Sequence, residues 1–260
     1  MKNIAVITGA SSGLGAEFAK QLSKEGYYIL LVARRKDRLL EIQKELVFKS
    51  EIFTADLSEK KDINKLCDHI ENLLSEDSDN KLSVFINNAG FGLSGNFTDC
   101  DEKREMEMVN VNIKALHRLT KRMIPLMDKE SGGYILNIGS SAGLLPAGPY
   151  MATYYATKAY VVSLTRAIAH ELKVEGSRTY IGVLCPGPVN TEFNDVAGVA
   201  FALKGISASG CVSYAIKMMK KRKVVIVPTL RMKLACSLSK LVPSNILIPM
   251  TAHQQHKKMG

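Results

Sequence analysis

Asn3-Ile4-Ala5-Val6-Ile7-Thr8-Gly9-Ala10-Ser11-Ser12-Gly13-Leu14-Gly15 is the stretch from which the rest of the chain can be read. Asn3 to Thr8 is a short apolar, β-branched run, which suits a strand buried in a parallel sheet. The residues after Gly15, AEFAKQLSKEG, follow a helical pattern closed by Gly26 as C-cap. A glycine-rich loop therefore joins a strand directly to a helix. In that setting the glycines let a pyrophosphate approach the backbone, and the helix N-terminus offers free N–H groups and the positive end of a dipole. The spacing alone also occurs in plain tight turns; the strand before and the helix after give it meaning.

Moving outward, Tyr27 to Ala33 reads as a second strand that ends at Arg34-Arg35-Lys36. An acidic residue at this point would hold the ribose 2′-hydroxyl of NAD. Here a basic cluster replaces it, and Arg34 can pair with a 2′-phosphate, which argues for NADP. The competing reading is plain positive charge at the start of a helix, where the dipole mildly disfavours it. The pattern then repeats: a helix from Asp37 to about Leu46, a strand near Glu51 to Ala55 ending at Asp56-Leu57-Ser58, a helix from about Glu59 to Ser75, and a strand from Leu82 to Ile86 ending at Asn87-Asn88-Ala89-Gly90. A long helix from about Asp101 to Met127 carries Asn112, with Pro125 bending or ending it. The strand Gly133 to Ile138 delivers Gly139-Ser140-Ser141, and the strand Tyr180 to Leu184 delivers Cys185-Pro186-Gly187-Pro188. A helix from about Ser209 to Arg222, a strand Val224 to Val227 and two helical segments split by Pro243 and Pro249 complete the chain. This alternation predicts an α/β fold, a Rossmann-type doubly wound parallel sheet of about seven strands with helices on both faces. No linker or repeat interrupts it, so residues 1–260 read as a single domain, with a cofactor half at about 1–130 and a catalytic and substrate half at about 131–260.

The composition is that of an ordinary globular protein, 46% hydrophobic and 23% charged. The N-terminal apolar run is too short for a signal peptide, and no segment reaches the ~18 apolar residues of a membrane span, so a cytoplasmic location is expected. Five scattered cysteines point to free thiols rather than disulfides or a zinc site, and the dispersed histidines imply no metal. The net charge of +10 has a location. Of the 35 Lys and Arg, 11 lie beyond residue 195, but none of the 25 Asp and Glu does, so the first 195 residues balance 24 basic against 25 acidic side chains. An anionic membrane surface, an acidic carrier protein, an anionic substrate and a merely solvated face all fit that basic quarter. Within it, Leu234, Leu238 and Leu241 share one helical face among Arg231, Lys233 and Lys240, an arrangement compatible with lying on anionic lipid; an ordinary helix packed on the core is the favoured alternative. Nothing in the sequence indicates nucleic-acid binding.

Tyr154-Tyr155-Ala156-Thr157-Lys158 is the stretch best suited to chemistry. On a helix Tyr154 and Lys158 lie one turn apart on the same face, close enough for an ammonium to act on a phenol. A lone YxxxK usually means a packed tyrosine beside a snorkelling lysine. Its company changes that: TGASSGLG, Asp56, NNAG, Asn112, a serine before YxxxK, and PGPVNTEF occur in the order seen in short-chain dehydrogenases/reductases. The chain resembles that family over nearly its whole length, and YYATKAYVVSLTRAIAHEL and CPGPVNTEF are especially similar to bacterial members.

The resemblance implies that Tyr154 is the general acid, that Lys158 steadies its phenolate and binds the nicotinamide ribose, that Ser140 hydrogen-bonds the substrate oxygen, and that Asn112 holds a relay water. Ser140 stands three residues before Gly143 but 14 before Tyr154, where members usually show 13, and Ser141 has the usual spacing. One extra residue in LLPAGP keeps Ser140. Asn110 competes with Asn112, and Ala115 three residues on decides for the latter. For NADP(H), the resemblance sets Gly9, Ser11, Ser12, Gly13, Leu14 and Gly15 at the pyrophosphate and Arg34 with Arg35 at the 2′-phosphate. It sets Asp56 at the adenine, Asn88 at the adenosine-side ribose and Val189 and Thr191 at the carboxamide, with Leu57, Ala89, Gly90, Pro186 and Gly187 also at the cofactor. Thr191 also reads as a simple helix cap.

The expected activity is NADPH-dependent, reversible reduction of a small to medium apolar ketone or aldehyde by a homodimer or homotetramer. A 3-oxoacyl carrier-protein or hydroxysteroid-type reductase is a second enzymatic reading. A non-catalytic NADPH-binding redox sensor or membrane-docking module is a third, from another class. Residues 192–210, rich in small and apolar side chains, read as a mobile substrate lid, helped by Leu144, Leu145 and the loop after Gly90.

Overall fold

The sheet is built from runs that are apolar on both faces. In the computed structural model, which describes residues 2–127, 132–193, 197 and 205–256, β1 (Asn3–Thr8), β2 (Tyr28–Ala33), β3 (Ser50–Thr54), β4 (Lys81–Asn87), β5 (Tyr134–Ile138), β6 (Tyr180–Leu184) and β9 (Val225–Ile226) form one sheet, and β7 (Val189–Asn190) pairs with β8 (Ile206–Ser207). All pairings are parallel, in the order β3-β2-β1-β4-β5-β6-β9. Alternate residues explain why these strands show no polar face. Ala5, Ile7, Ile29 and Leu31 enter one core layer, while Ile4, Val6, Leu30 and Val32 enter another on the opposite side. Helices cover both. Helices α1 (Gly13–Lys24) and α7 (Ala208–Lys220) contribute Phe18, Leu22, Val212 and Met219 to the first layer; α3 (Lys60–Ser75) and α5 (Leu116–Met123) contribute Leu66, Ile70 and Leu119 to the second.

The remaining helices are α2 (Lys36–Lys44), α4 (Glu102–Val109), α6 (Ala152–Val174), α8 (Leu230–Leu238) and α9 (Ser244–His256). Two expectations need correction. The single helix expected over 101–127 is α4, then a widened π-helical turn at Asn110–Ala115, then α5, then a 3-10 turn at Ile124–Leu126. The widened turn coincides with Asn112, whose side chain is anchored across the site, as such bulges often are at functional positions. Pro249 does not split the final helix but lies inside α9. Its ring costs one backbone hydrogen bond. The Thr251 hydroxyl donates back to the Leu247 carbonyl within the helix, and the buried Gln255 ties the helix to Tyr155 of α6.

Strand order reverses between β1 and β4, which lie side by side at the centre. A crevice opens at such a point beyond the carboxyl ends of the strands, because the loops on either side turn away from each other. Gly9 at the end of β1 and Asn88 to Gly90 at the end of β4 meet there.

Candidate active site

A cleft of about 760 Å³ runs along the carboxyl edge of the sheet, from Arg34 and Arg35 at one end to Tyr154 and the C-terminal helices at the other. At its floor the two central loops are clamped together. The Asn88 side-chain amide donates to the carbonyls of Thr8 (2.9 Å) and Gly9 (3.1 Å), and Thr8 Oγ1 accepts from the backbone N–H groups of Asn88 (2.9 Å) and Ala89 (3.0 Å). Gly9 takes φ +65, and a Cβ there would come within 2.8 Å of Asn88 Nδ2. Gly15 has a different duty from the one expected. It does not line the cleft, and a Cβ on it would fall 2.2 Å from the Gly9 carbonyl oxygen, so its lack of a side chain lets α1 pack against the loop. The first turn of α1 holds no acidic residue, which leaves its positive end available to an anion.

At the outer end the two arginines diverge. Arg35 Nη2 reaches back over the glycine-rich loop to Ser11 Oγ (3.3 Å) and Ser12 Oγ (3.1 Å), and pairs with Glu192 at 2.9 Å. Arg34 instead turns to Glu107 (2.9 Å) and lies 3.7 Å from Asp56. Burial works against the Asp56 carboxylate, but the backbone N–H and hydroxyl of Ser58, helped by Arg34, outweigh it and hold its pKa below the usual range. Glu192 is likewise held low, chiefly by its hydrogen bond from Arg35. Between the two ends lie Leu57, Ala89, Gly90, Pro186, Gly187, Val189 and Thr191, all on the cleft wall, and Thr191 packs against Gly13.

At the inner end α6 presents Tyr154 and Lys158, both buried. Ser140 lines the same end of the cleft; its side chain caps the short turn Ser141–Leu144 and accepts from Ala142 N–H at 3.1 Å. Ser141 lines the cleft as well, and in the loop before α6 Tyr150 takes a left-handed φ of 64. A Cβ on Gly143 would strike the Lys158 carbonyl at 2.3 Å, so the turn is seated directly on α6.

Electrostatics at this end are dominated by desolvation. Burial pushes the Tyr154 hydroxyl above its usual pKa, only partly offset by Ser140. Burial also brings the Lys158 ammonium down to about 8, while it donates to the Ile138 carbonyl at 2.9 Å. Its Nζ is 5.8 Å from the Tyr154 ring centre. That ammonium is aimed at a carbonyl, so burial and not Lys158 dominates the shift of Tyr154.

Asn112 sits behind the cleft wall. It accepts from Phe91 N–H (3.1 Å) and donates to the Phe91 carbonyl (2.9 Å) and to Thr157 Oγ1 (3.1 Å). It therefore locks the loop after Gly90 to α6, one residue before Lys158. Asn110, its competitor, is only half-buried.

The substrate wall differs most from expectation. Of the expected lid over 192–210, residues 194–196 and 198–204 lie outside the described residues. Phe193 is described and packs 5.6 Å from the Tyr154 ring. Leu145 lines the cleft, but Leu144 turns away to pack beside Val161 and Val183. The unforeseen contribution comes from α8 and α9: Met232, Leu238, Leu247, Met250 and Thr251 all face the cleft, and Gln255 hydrogen-bonds the Tyr155 hydroxyl. No local pattern places these residues at the cleft, because the contact spans 100 positions of chain. Among the described residues there is no cluster that would hold a metal ion.

A glycine-floored crevice at a strand-order reversal, ending in buried Tyr154 and Lys158 beside the half-buried Ser140, has the architecture of an oxidoreductase site. The chain belongs to the short chain dehydrogenase family, whose sequence profile matches residues 3–198. It is 33% identical over 194 residues to an uncharacterized oxidoreductase of Staphylococcus epidermidis, covering 75% of this chain and 81% of that one. It is 34% identical over 188 residues to a very-long-chain 3-oxoacyl-CoA reductase of Neurospora crassa, covering 69% of this chain and 54% of that one. Among solved structures, a short-chain dehydrogenase from Sphingobium yanoikuyae in complex with NADPH superposes with a TM-score of 0.78 at 31% identity, covering 92% of each chain.

Proposed function

We propose that the protein is an NADPH-dependent carbonyl reductase that acts reversibly on apolar ketones or aldehydes. The observation that carries this reading is that buried Tyr154 and Lys158 share with Ser140 the inner end of a cleft whose outer end is basic. Bound NADPH supplies the hydride. The residues present fit it: the Gly9 to Leu14 turn lines the cleft with Gly9 and Gly13 at positive φ, and Arg35, poised over Ser11 and Ser12, is better aimed at a 2′-phosphate than Arg34. The absence of an acid at the end of β2 supports NADPH over NADH.

Tyr154 donates its hydroxyl proton to the carbonyl oxygen of the substrate. Its raised pKa keeps that proton in place through the neutral range. Ser140 holds the same oxygen and stabilises charge developing on it. Lys158 contributes positive charge that favours the phenolate left behind. Asn112 acts as a positioning residue through Phe91 and Thr157. The apolar residues of α8 and α9 select a substrate with a hydrocarbon body.

A 3-oxoacyl thioester is the second reading, supported by the similarity to the Neurospora reductase and by the basic quarter, which suits an anionic carrier group. Homo-oligomerisation is part of the same proposal. Helix α6 exposes Ala156, Ala159, Ser163 and Ala167, small residues that permit close helix packing, and size-exclusion chromatography with light scattering tests it. NADPH oxidation across a panel of ketones and 3-oxoacyl thioesters tests the reaction. Wild type is expected to turn over at least one class and Tyr154→Phe neither; equal rates from the two proteins would overturn the proposal.

A further inference from the structure

The surface over α8 and the following turn is unusual. Leu230, Leu234, Leu238 and Leu241 are between 56 and 81% exposed, and Ile246 and Met250 of α9 are also open to solvent. Spacings of four, four and three residues put the leucines on one side of the helix and its last turn. A row of large apolar side chains held in water is a feature that marks an interaction surface. Arg231 borders the row on one flank, and Lys233 and Lys240 on the other, all exposed. Leu238 and Met250 are exposed and also line the cleft, so the apolar surface continues inward towards Tyr154.

We propose that this face docks on an anionic lipid surface, with the leucines entering the acyl boundary and the basic residues meeting the head groups. Charge selects this occupant. No acidic residue lies beyond residue 195, so a second copy presenting the same face would bring like charges together, whereas anionic head groups complement them. The leucine row distinguishes lipid from an acidic protein partner, which needs the basic residues but gives no use to so many protruding leucines. No helix among the described residues is long and apolar enough to cross a membrane, so the contact is peripheral. Docking in this orientation sets the mouth of the cleft against the lipid.

The test is sedimentation of the full chain with vesicles of equal parts phosphatidylcholine and phosphatidylglycerol, compared with phosphatidylcholine alone. Binding is expected to be about tenfold stronger on the anionic vesicles and to weaken with salt. The double substitution Leu234→Gln and Leu241→Gln, at positions outside the cleft, is expected to lower binding by about tenfold while circular dichroism and NADPH affinity stay unchanged. Lys240→Glu serves as a second variant and should weaken binding to anionic vesicles only. No sedimentation at low salt would overturn the proposal. Equal binding by the leucine variant would overturn it too. So would a dimer that the leucine variant dissociates, without vesicle binding, since that would assign the row to a second copy. No turnover is read, so this result is independent of the carbonyl-reduction proposal.

Discussion

The two ends of the cleft hold cations of the same formal charge in opposite conditions. Arg34 and Arg35 are about half exposed and share their charge among Glu107, Asp56 and Glu192. Lys158 is buried against a carbonyl, with its pKa brought down to about 8. A guanidinium in water stays charged at any working pH and exchanges partners at small cost, each exposed pair being worth up to ~1 kcal/mol. A desolvated ammonium is different, because its charge becomes a variable that pH and neighbours can set. The outer end is thus suited to binding an anion that displaces existing carboxylates, and the inner end to controlling a proton.

Substitutions can break this contrast at either end. At the inner end, Tyr154→Phe removes the proton donor without removing the ring, so kcat for ketone reduction is expected to fall by about 10³-fold with the NADPH Kd within about twofold. Parallel loss of NADPH binding would mean that the tyrosine is structural. At the outer end, Arg35→Ala is expected to raise the NADPH Kd by about tenfold at low salt and to leave the NADH Kd nearly unchanged, as read by fluorescence titration. Equal weakening of both cofactors would detach Arg35 from the 2′-phosphate. The smallest effect is expected of Glu192→Gln. Releasing Arg35 from its exposed partner should tighten NADPH by about threefold, and weaker binding would show that Glu192 positions the guanidinium instead of competing for it.

How far each end could be read from sequence follows from the range of the interactions that build it. The strands were legible because burial on both faces gives uninterrupted apolar runs, and their ends because glycine and asparagine mark where the backbone must turn or be clamped. β6 matches its expected bounds, and β1 matches as far. The Tyr–Lys pair was legible because helical spacing fixes it. Arg34 and Arg35 were found as a cluster, but their division of labour depends on Glu107 and Glu192, side chains brought from 73 and 157 residues away. The widened turn at Asn112 is decided by Phe91 and Thr157, on two other elements. Of the wall formed by α8 and α9, the sequence showed only the helical face that carries Leu238, not its place beside the cleft. Its residues are ordinary apolar and amide side chains until the chain returns them to Tyr155.

The most direct test of the contrast is the pH dependence of kcat/KM for NADPH in ketone reduction, which reports groups of the free enzyme. The Lys158 ammonium, depressed from its usual value by burial, is fully charged below about 8 and loses its proton as the pH rises through that value. Tyr154, shifted upward, keeps its own proton across the same window. The predicted profile is level on the acid side and falls about tenfold per pH unit above about pH 8. A profile that stays level to about pH 10 would contradict the assignment of a titrating Lys158 to the site.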